Sequence, residues 1–237
     1  MREKKFVMSF LSRGNVTDLC TFSNAIVFTF LSAVLDDHPD VDAIVIPVGG
    51  GGLIAGVALA AKTLKPSVQI IGVEPRNCAS WQAALKAGAP TRISMSKAGT
   101  LADGLAVPEV GRNAFATCAA HDLVDEIVTV DEHAIALSIL RLVEIEQVRV
   151  TQFFFGCGFL VVVSGFFVLF KHACFVVEQA IVEGGGAAGL AALLDGGVSG
   201  SKGGSALAKK LAGKKVVAIL CGGNIDTPVL GRVINRG

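Results

Sequence analysis

The chain has 237 residues, 52% of them apolar and 17% charged, with a net charge of +1. That is long enough to bury one large core or two modest ones, and too apolar for a disordered or polyelectrolyte chain. Its basic residues gather no further than pairs such as Lys209-Lys210 and Lys214-Lys215, which argues against a nucleic-acid partner, and its cysteines form no C-x-x-C pair or zinc-like spacing, which predicts a reduced chain without a metal site.

Residues 1–35 carry no cap or turn signal that would organise them, and are left unassigned. Phe22 to Leu35 is apolar but short for a bilayer span and lacks a cleavage site, so no secretory signal is expected. The cytoplasm is the expected location, with an organelle as the alternative. From Asp36 the texture changes. A turn-rich entry leads to a buried strand from Ala43 to Val48, then Gly49-Gly50-Gly51-Gly52, then a helix from Leu53 to Leu64 that Lys65-Pro66 stops.

One or two glycines suffice for a positive φ, so four in a row need another reason. Consecutive glycines at a helix N-terminus offer bare backbone N–H groups, and with the helix dipole these make a cradle for one phosphate. The plain alternative is a flexible surface loop. Val68 to Val73 reads as a second buried strand ending at Glu74-Pro75. Gly50, Gly52 and Ala55 with Glu74 also satisfy a dinucleotide fingerprint, in which Glu74 would bind a ribose, and four glycines generate that pattern readily.

Ala79 to Lys86 is predicted helical and closed by Gly88, and Asn113 to His121 forms another short helix. Glu126 to Val130 is a strand, and Asp131 caps a periodic helix with Ile135, Ile139, Leu142 and Glu146 along one line. This alternation predicts an α/β fold: a doubly wound, mostly parallel sheet with helices on both faces. At Gln147 the rhythm breaks. Residues 153–170 carry no charge and taken alone are a transmembrane candidate. Beyond them Glu183-Gly184-Gly185-Gly186 opens a helix to about Leu194, Val216 to Leu220 is the last strand, and a helix starts near Thr227-Pro228.

Four stretches occur in order: Pro-Val-Gly-Gly-Gly-Gly-Leu at 47–53, Thr-Leu-Ala-Asp-Gly-Leu-Ala-Val at 100–107, Val-Glu-Gly-Gly-Gly-Ala-Ala-Gly at 182–189, and Leu-Cys-Gly-Gly-Asn-Ile-Asp at 220–226. Together they closely resemble the threonine/serine dehydratase and serine racemase group, pyridoxal-phosphate enzymes of the tryptophan-synthase-β type (fold type II). The resemblance covers about 36–147 and 180–237. It implies one α/β cofactor domain made of those two parts, incomplete, and an apolar insertion at 148–179 whose removal restores the family's texture. A membrane is not the expected partner despite 153–170.

The resemblance implies that Gly49, Gly50, Gly51, Gly52 and Leu53 hold the cofactor phosphate and that Gly104 passes near its ring. It places Cys221, with Gly222 and Asn224, at the pyridine nitrogen. A thiol there cannot supply the full charge that keeps the nitrogen protonated, which suits elimination better than transamination. Glu183 would lie near the site. For Cys221 the alternative is a plain buried thiol, and for Glu183 an acidic residue favouring a helix N-terminus. Some relatives bind a divalent cation on a Glu at the position of Glu74 with an acidic partner six residues on; here that partner is Ser80, so no metal is expected.

The family's Schiff-base lysine belongs to a Ser-x-Lys-x-Arg-Gly-Ala motif. Ser9-Phe10-Leu11-Ser12-Arg13-Gly14 echoes it with Leu11 at the lysine position, so no catalytic residue is assigned. The implied activity of the intact enzyme is an ammonia-lyase converting L-threonine or L-serine to a 2-oxo acid and ammonia, in amino-acid metabolism such as isoleucine biosynthesis, as a homo-oligomer, with a further regulatory domain possible beyond residue 237. This chain is expected to bind pyridoxal phosphate weakly at best, without a covalent link, and not to turn over. The alternatives are a serine-racemase-type enzyme, an NAD(P)-binding oxidoreductase domain, and a membrane-tethered binding protein without enzymatic activity.

Overall fold

The structure is a computed structural model that describes residues 31–32, 34–36, 38–95, 97–144, 150–152, 159–163, 166–168, 178–180, 182–194, 206–222 and 225–234. Four strands, β1 (Ala43–Pro47), β2 (Gln69–Pro75), β3 (Glu126–Val130) and β8 (Val216–Cys221), form a parallel sheet in the order β3-β2-β1-β8. β1 is buried at all five positions, as expected for a central parallel strand covered on both faces.

Side-chain alternation sorts these strands into two cores. Val45, Ile71, Val73, Val130 and Leu220 face one way, where they meet α4 (Glu132–Glu144), α5 (Gly184–Ala191), α6 (Ala206–Lys210) and α7 (Thr227–Ile234). Ile44, Ile46, Ile70, Val217 and Ile219 face the other way, where they meet α1 (Gly52–Leu64), α2 (Ser80–Ala87) and α3 (Arg112–Ala120). Helices therefore cover both faces of a mostly parallel sheet, as the alternation in the sequence predicts.

Local chemistry places the element ends. Gly88 closes α2 at φ 71°, a conformation that side-chain-bearing residues avoid. Asp131 caps α4, its Oδ1 accepting the Ala134 N–H at 2.8 Å. The predicted line Ile135, Ile139 and Leu142 is buried, while Glu146 lies outside the described residues. Leu31, Val34 and Leu35, upstream of Asp36, pack into the core that holds Ile44 and Ile54.

Within 148–179 the described residues are strands: β4 (Val150–Gln152), β5 (Phe159–Val163), β6 (Phe166–Val168) and β7, which runs from Glu178–Ala180. β5 pairs antiparallel with β8, setting Phe159 opposite Cys221, and β6 pairs antiparallel with β5, so the sheet extends to six strands. β4 and β7 pair with each other. Among the described residues no helix is long and apolar enough to cross a membrane.

Candidate functional site

In chain order the sheet grows from β1 to β2 to β3 on one side, and the last strand, β8, sits on the other side of β1. The strand order reverses between β1 and β8. In open α/β sheets the crevice at the carboxyl ends of such a pair is where ligands bind. Val45 pairs with Ala218; carried forward, that register sets Cys221 beside Val48, the residue before the glycines. The glycine loop and Cys221 thus open on the same edge, although about 170 residues separate them in sequence.

The four glycines do different things. Gly51 takes φ 89° and turns the chain into α1; a Cβ there would also run into the Trp81 ring. A Cβ on Gly49 would stand 3.1 Å from Leu105 Cα and 3.3 Å from the Gly104 carbonyl oxygen, so the turn at Asp103–Leu105 closes on the loop. Gly50 and Gly52 are different again. Neither takes a positive φ, a Cβ on Gly52 would meet nothing within 4 Å, and one on Gly50 only Val107 at 3.8 Å. Neither the turn nor packing asks for glycine at these two positions. Bare backbone there is what an approaching ligand needs.

The ladder of α1 begins with the Ala55 N–H donating to Gly51 O at 3.0 Å, and no side chain caps the helix. The amides of Gly52, Leu53 and Ile54 lie upstream of that bond, at the positive end of the dipole. Such a helix mouth has the geometry of an anion cradle, and the residues present fit the phosphate of a phosphorylated cofactor.

Of the remaining predicted residues, Gly104, Glu183, Cys221 and Gly222 lie on the same side of the sheet. The Glu183 carboxylate lies 3.4 Å from where a Cβ on Gly104 would stand, and its Cγ is 2.8 Å from that point on Gly222. Gly222 takes φ 86°, and its carbonyl accepts the Glu183 N–H at 3.2 Å. Glu183 is the N-cap of α5 in position, yet its side chain makes no cap hydrogen bond. The carboxylate leans instead between Gly104 and Gly222, so helix capping does not account for it. Cys221 is half-buried at the end of β8. Asn224 and Gly223 lie outside the described residues, as do residues 1–30 with the Leu11 motif.

The glycines of α5 serve contact rather than anion binding. A Cβ on Gly186 would overlap the Cys221 carbonyl, and one on Gly184 the Leu101 carbonyl, so α5 rests directly on both site loops. Five lysines, Lys62, Lys65, Lys210, Lys214 and Lys215, are engaged with Asp125, Pro39, Glu126, Gln69 and Asp40, where the strands begin. That edge is opposite the glycine loop, so none of these five amines serves it.

Two carboxylates support the loops, Glu132 without any prediction from the sequence and Glu74 in a role other than the ribose or cation ligand considered there. Glu132, in the first turn of α4, accepts the Leu101 N–H at 2.6 Å and tethers the segment that carries Gly104. Glu74 is fully buried and accepts the Trp81 N–H at 2.6 Å and the Gln82 N–H at 3.0 Å. Burial pushes its carboxyl up to about 7 against the pull of those two amides, and its charge helps burial raise the Cys78 thiol. With both oxygens committed to α2, Glu74 is not placed as a ribose ligand. In the sequence nothing marks Glu132, and Glu74 stands out only as a ribose or cation ligand; the bonds both carboxylates make here are to backbone amides of other elements.

A sequence profile described as pyridoxal-phosphate dependent enzyme matches residues 14–152, beginning upstream of the stretch that the quoted motifs cover. The chain is 35% identical over 204 residues to the L-threonine ammonia-lyase of Thermotoga maritima, covering 86% of this chain and 39% of that protein. It is 32% identical over 193 residues to the catabolic L-threonine dehydratase TdcB of Escherichia coli, covering 81% and 45%. Among solved structures, the processed form of threonine deaminase isoform 2 from Solanum lycopersicum superposes with a TM-score of 0.65 at 28% identity, over 89% of this chain and 48% of that one. Maize serine racemase superposes with a TM-score of 0.60 at 26% identity, over 91% and 52%. The chain thus spans about half or less of the length of these relatives. An anion cradle at the switch point of this sheet and a family match over more than half of the chain agree, and the chain belongs to the pyridoxal-phosphate dependent enzymes.

Proposed function

We propose that this chain is part of the cofactor domain of an ammonia-lyase acting on L-threonine or L-serine, and that it holds pyridoxal phosphate without turning substrate over by itself. The observation that carries the reading is the bare backbone of Gly50 and Gly52, which neither φ nor packing explains, at the mouth of α1. The relatives named as threonine ammonia-lyase and dehydratase supply the reaction class. When bound, the cofactor supplies an electron sink for the pair released at an amino acid's α-carbon.

In this reading the backbone of Gly49, Gly50, Gly51, Gly52 and Leu53 grips the phosphate through its amides and the α1 dipole. Gly104 leaves room beside the ring, and Cys221 with Gly222 and Asn224 borders its nitrogen. A thiol at that nitrogen leaves it without a full counter-charge. Glu183 stands between Gly104 and Gly222, where its carboxylate can hold a substrate ammonium or move a proton. No lysine of this chain is assigned to covalent attachment. Residues 148–179 are an insertion within the domain, the intact enzyme is a homo-oligomer, and its location is the cytoplasm.

The test titrates the full chain with pyridoxal phosphate, following the emission of Trp81, the single tryptophan, and competing with inorganic phosphate. Expected are saturable, phosphate-competed binding that dialysis reverses, no borohydride-fixed adduct, and no 2-oxo acid from L-threonine or L-serine. Absence of phosphate-competed binding overturns the site. A borohydride-fixed adduct overturns the assignment of a chain without its lysine.

A further inference from the structure

Glu74, the residue before the last of β2, is 0% exposed and spends both oxygens on the amides of the second and third residues of α2, Trp81 and Gln82. Burying a carboxylate carries a desolvation cost that a Ser or Asn cap at the surface would avoid. The residue it holds explains the choice. Trp81 is itself 1% exposed, and its Cε3 lies 3.1 Å from the point where a Cβ on Gly51 would stand, with Cζ3 nearer still. On another side the ring meets Phe115, centroids 5.8 Å apart and planes tilted by 57°. The indole N–H has no hydrogen-bond partner among the described residues. Nothing polar on the ring fixes it, so its place is set by the first turn of α2 and by packing.

Gly51 is the residue whose left-handed φ aims the opening amides of α1, and its flank is the Cζ3–Cε3 edge of this ring. We propose that Glu74 is a positioning residue for the anion cradle: it fixes the first turn of α2, and through the Trp81 ring it holds Gly51 in its left-handed conformation. This deepens the reading above and rests on it only for the identity of the anion. Glu74 needs no contact with ligand or metal to act in this way. The side chain transmits position from β2 to α2 to the loop after β1, three elements that the sheet brings together.

Amide hydrogen exchange on the full unliganded chain tests it, read at Ala55 and Gly111, whose acceptors are the carbonyls of Gly51 and Gly50. In Glu74→Leu, which strands the Trp81 and Gln82 amides, exchange at both readout amides is expected to rise tenfold or more beyond the rise that the accompanying loss of global stability accounts for. Glu74→Gln keeps an acceptor for the Trp81 N–H and is expected to retain most of the protection. Trp81→Phe guards against a folding failure of the first variant. It leaves the carboxylate bonds but withdraws the outer ring from Gly51, so Ala55 and Gly111 should lose protection while α2 keeps it.

Unchanged exchange at Ala55 and Gly111 in Trp81→Phe overturns the proposal, as does protection in Glu74→Leu that falls only in step with global unfolding. Binding of pyridoxal phosphate and inorganic phosphate by the parent chain is measured alongside. If exchange responds as expected and neither ligand binds, the cofactor reading fails and the positioning role stands. If both bind and exchange does not respond, the positioning role fails alone.

Discussion

Gly52→Ala separates the needs of the fold from those of the ligand. Gly52 is the first residue of α1, has no positive φ, and a Cβ there would meet nothing within 4 Å. Within a helix, alanine is favoured over glycine by about 0.5–1 kcal/mol, because it loses less backbone freedom on folding. Gly52→Ala should therefore raise the stability of the chain by up to about that amount. A helical Cβ leans toward the N-terminus, so the new methyl stands at the mouth of α1, where the anion would sit. Loss of close approach for one charge-assisted hydrogen bond is worth about 1.5–3 kcal/mol, or roughly ten- to a hundredfold in affinity. Gly51→Ala is the contrast: left-handed strain of about 1–2 kcal/mol adds to an overlap with Trp81 worth about 1–3 kcal/mol, and the chain should lose stability. Urea unfolding and pyridoxal-phosphate titration of both variants are the assays. A Gly52→Ala chain that binds with parent affinity would refute the argument that open backbone at this position serves a ligand.

Three further outcomes follow from named contacts. The carboxyl of Glu74 rises from its ordinary 4.5 to about 7 in the folded chain, so between these values the native state holds the extra proton and its contribution to stability falls as pH rises, by about 3 kcal/mol in all; urea midpoints from pH 4.5 to 8 should show this slope in the parent and not in Glu74→Gln. Glu132→Ala strands the Leu101 amide and should cost about 1–2 kcal/mol, with faster exchange at Leu101 than at the amides of β1. Ile139→Ala empties a fully buried position between α4 and the sheet and should cost about 2–4 kcal/mol in chemical denaturation with an unchanged slope.

The strands at Ala43–Pro47 and Glu126–Val130, the helix opened by four glycines and the Asp131 cap are all legible in the residues, because each depends on neighbours within a few positions. The glycine run also suggests an anion site, since bare amides at a helix N-terminus are a local property. That run did not reveal its internal division of labour. Gly51 serves the turn, Gly49 meets the loop at Gly104, and Gly50 and Gly52 are left open; only the packed surroundings separate them. Residues 153–170 are a transmembrane candidate when taken alone, yet the described residues among them pair as strands, β5 against the edge of β8 and β6 against β5.

By itself the sequence determined where backbone hydrogen bonds close locally and which faces are apolar, and through four ordered motifs it determined the family. Tertiary structure alone decided that Cys221 lies beside the glycine loop, that Glu183 leans toward Gly104 instead of capping its helix, and that Glu74 braces Trp81. These contacts join residues far apart in the chain. Their partners are backbone groups, which every sequence possesses and none advertises, so they exist only once the sheet has set its strand order.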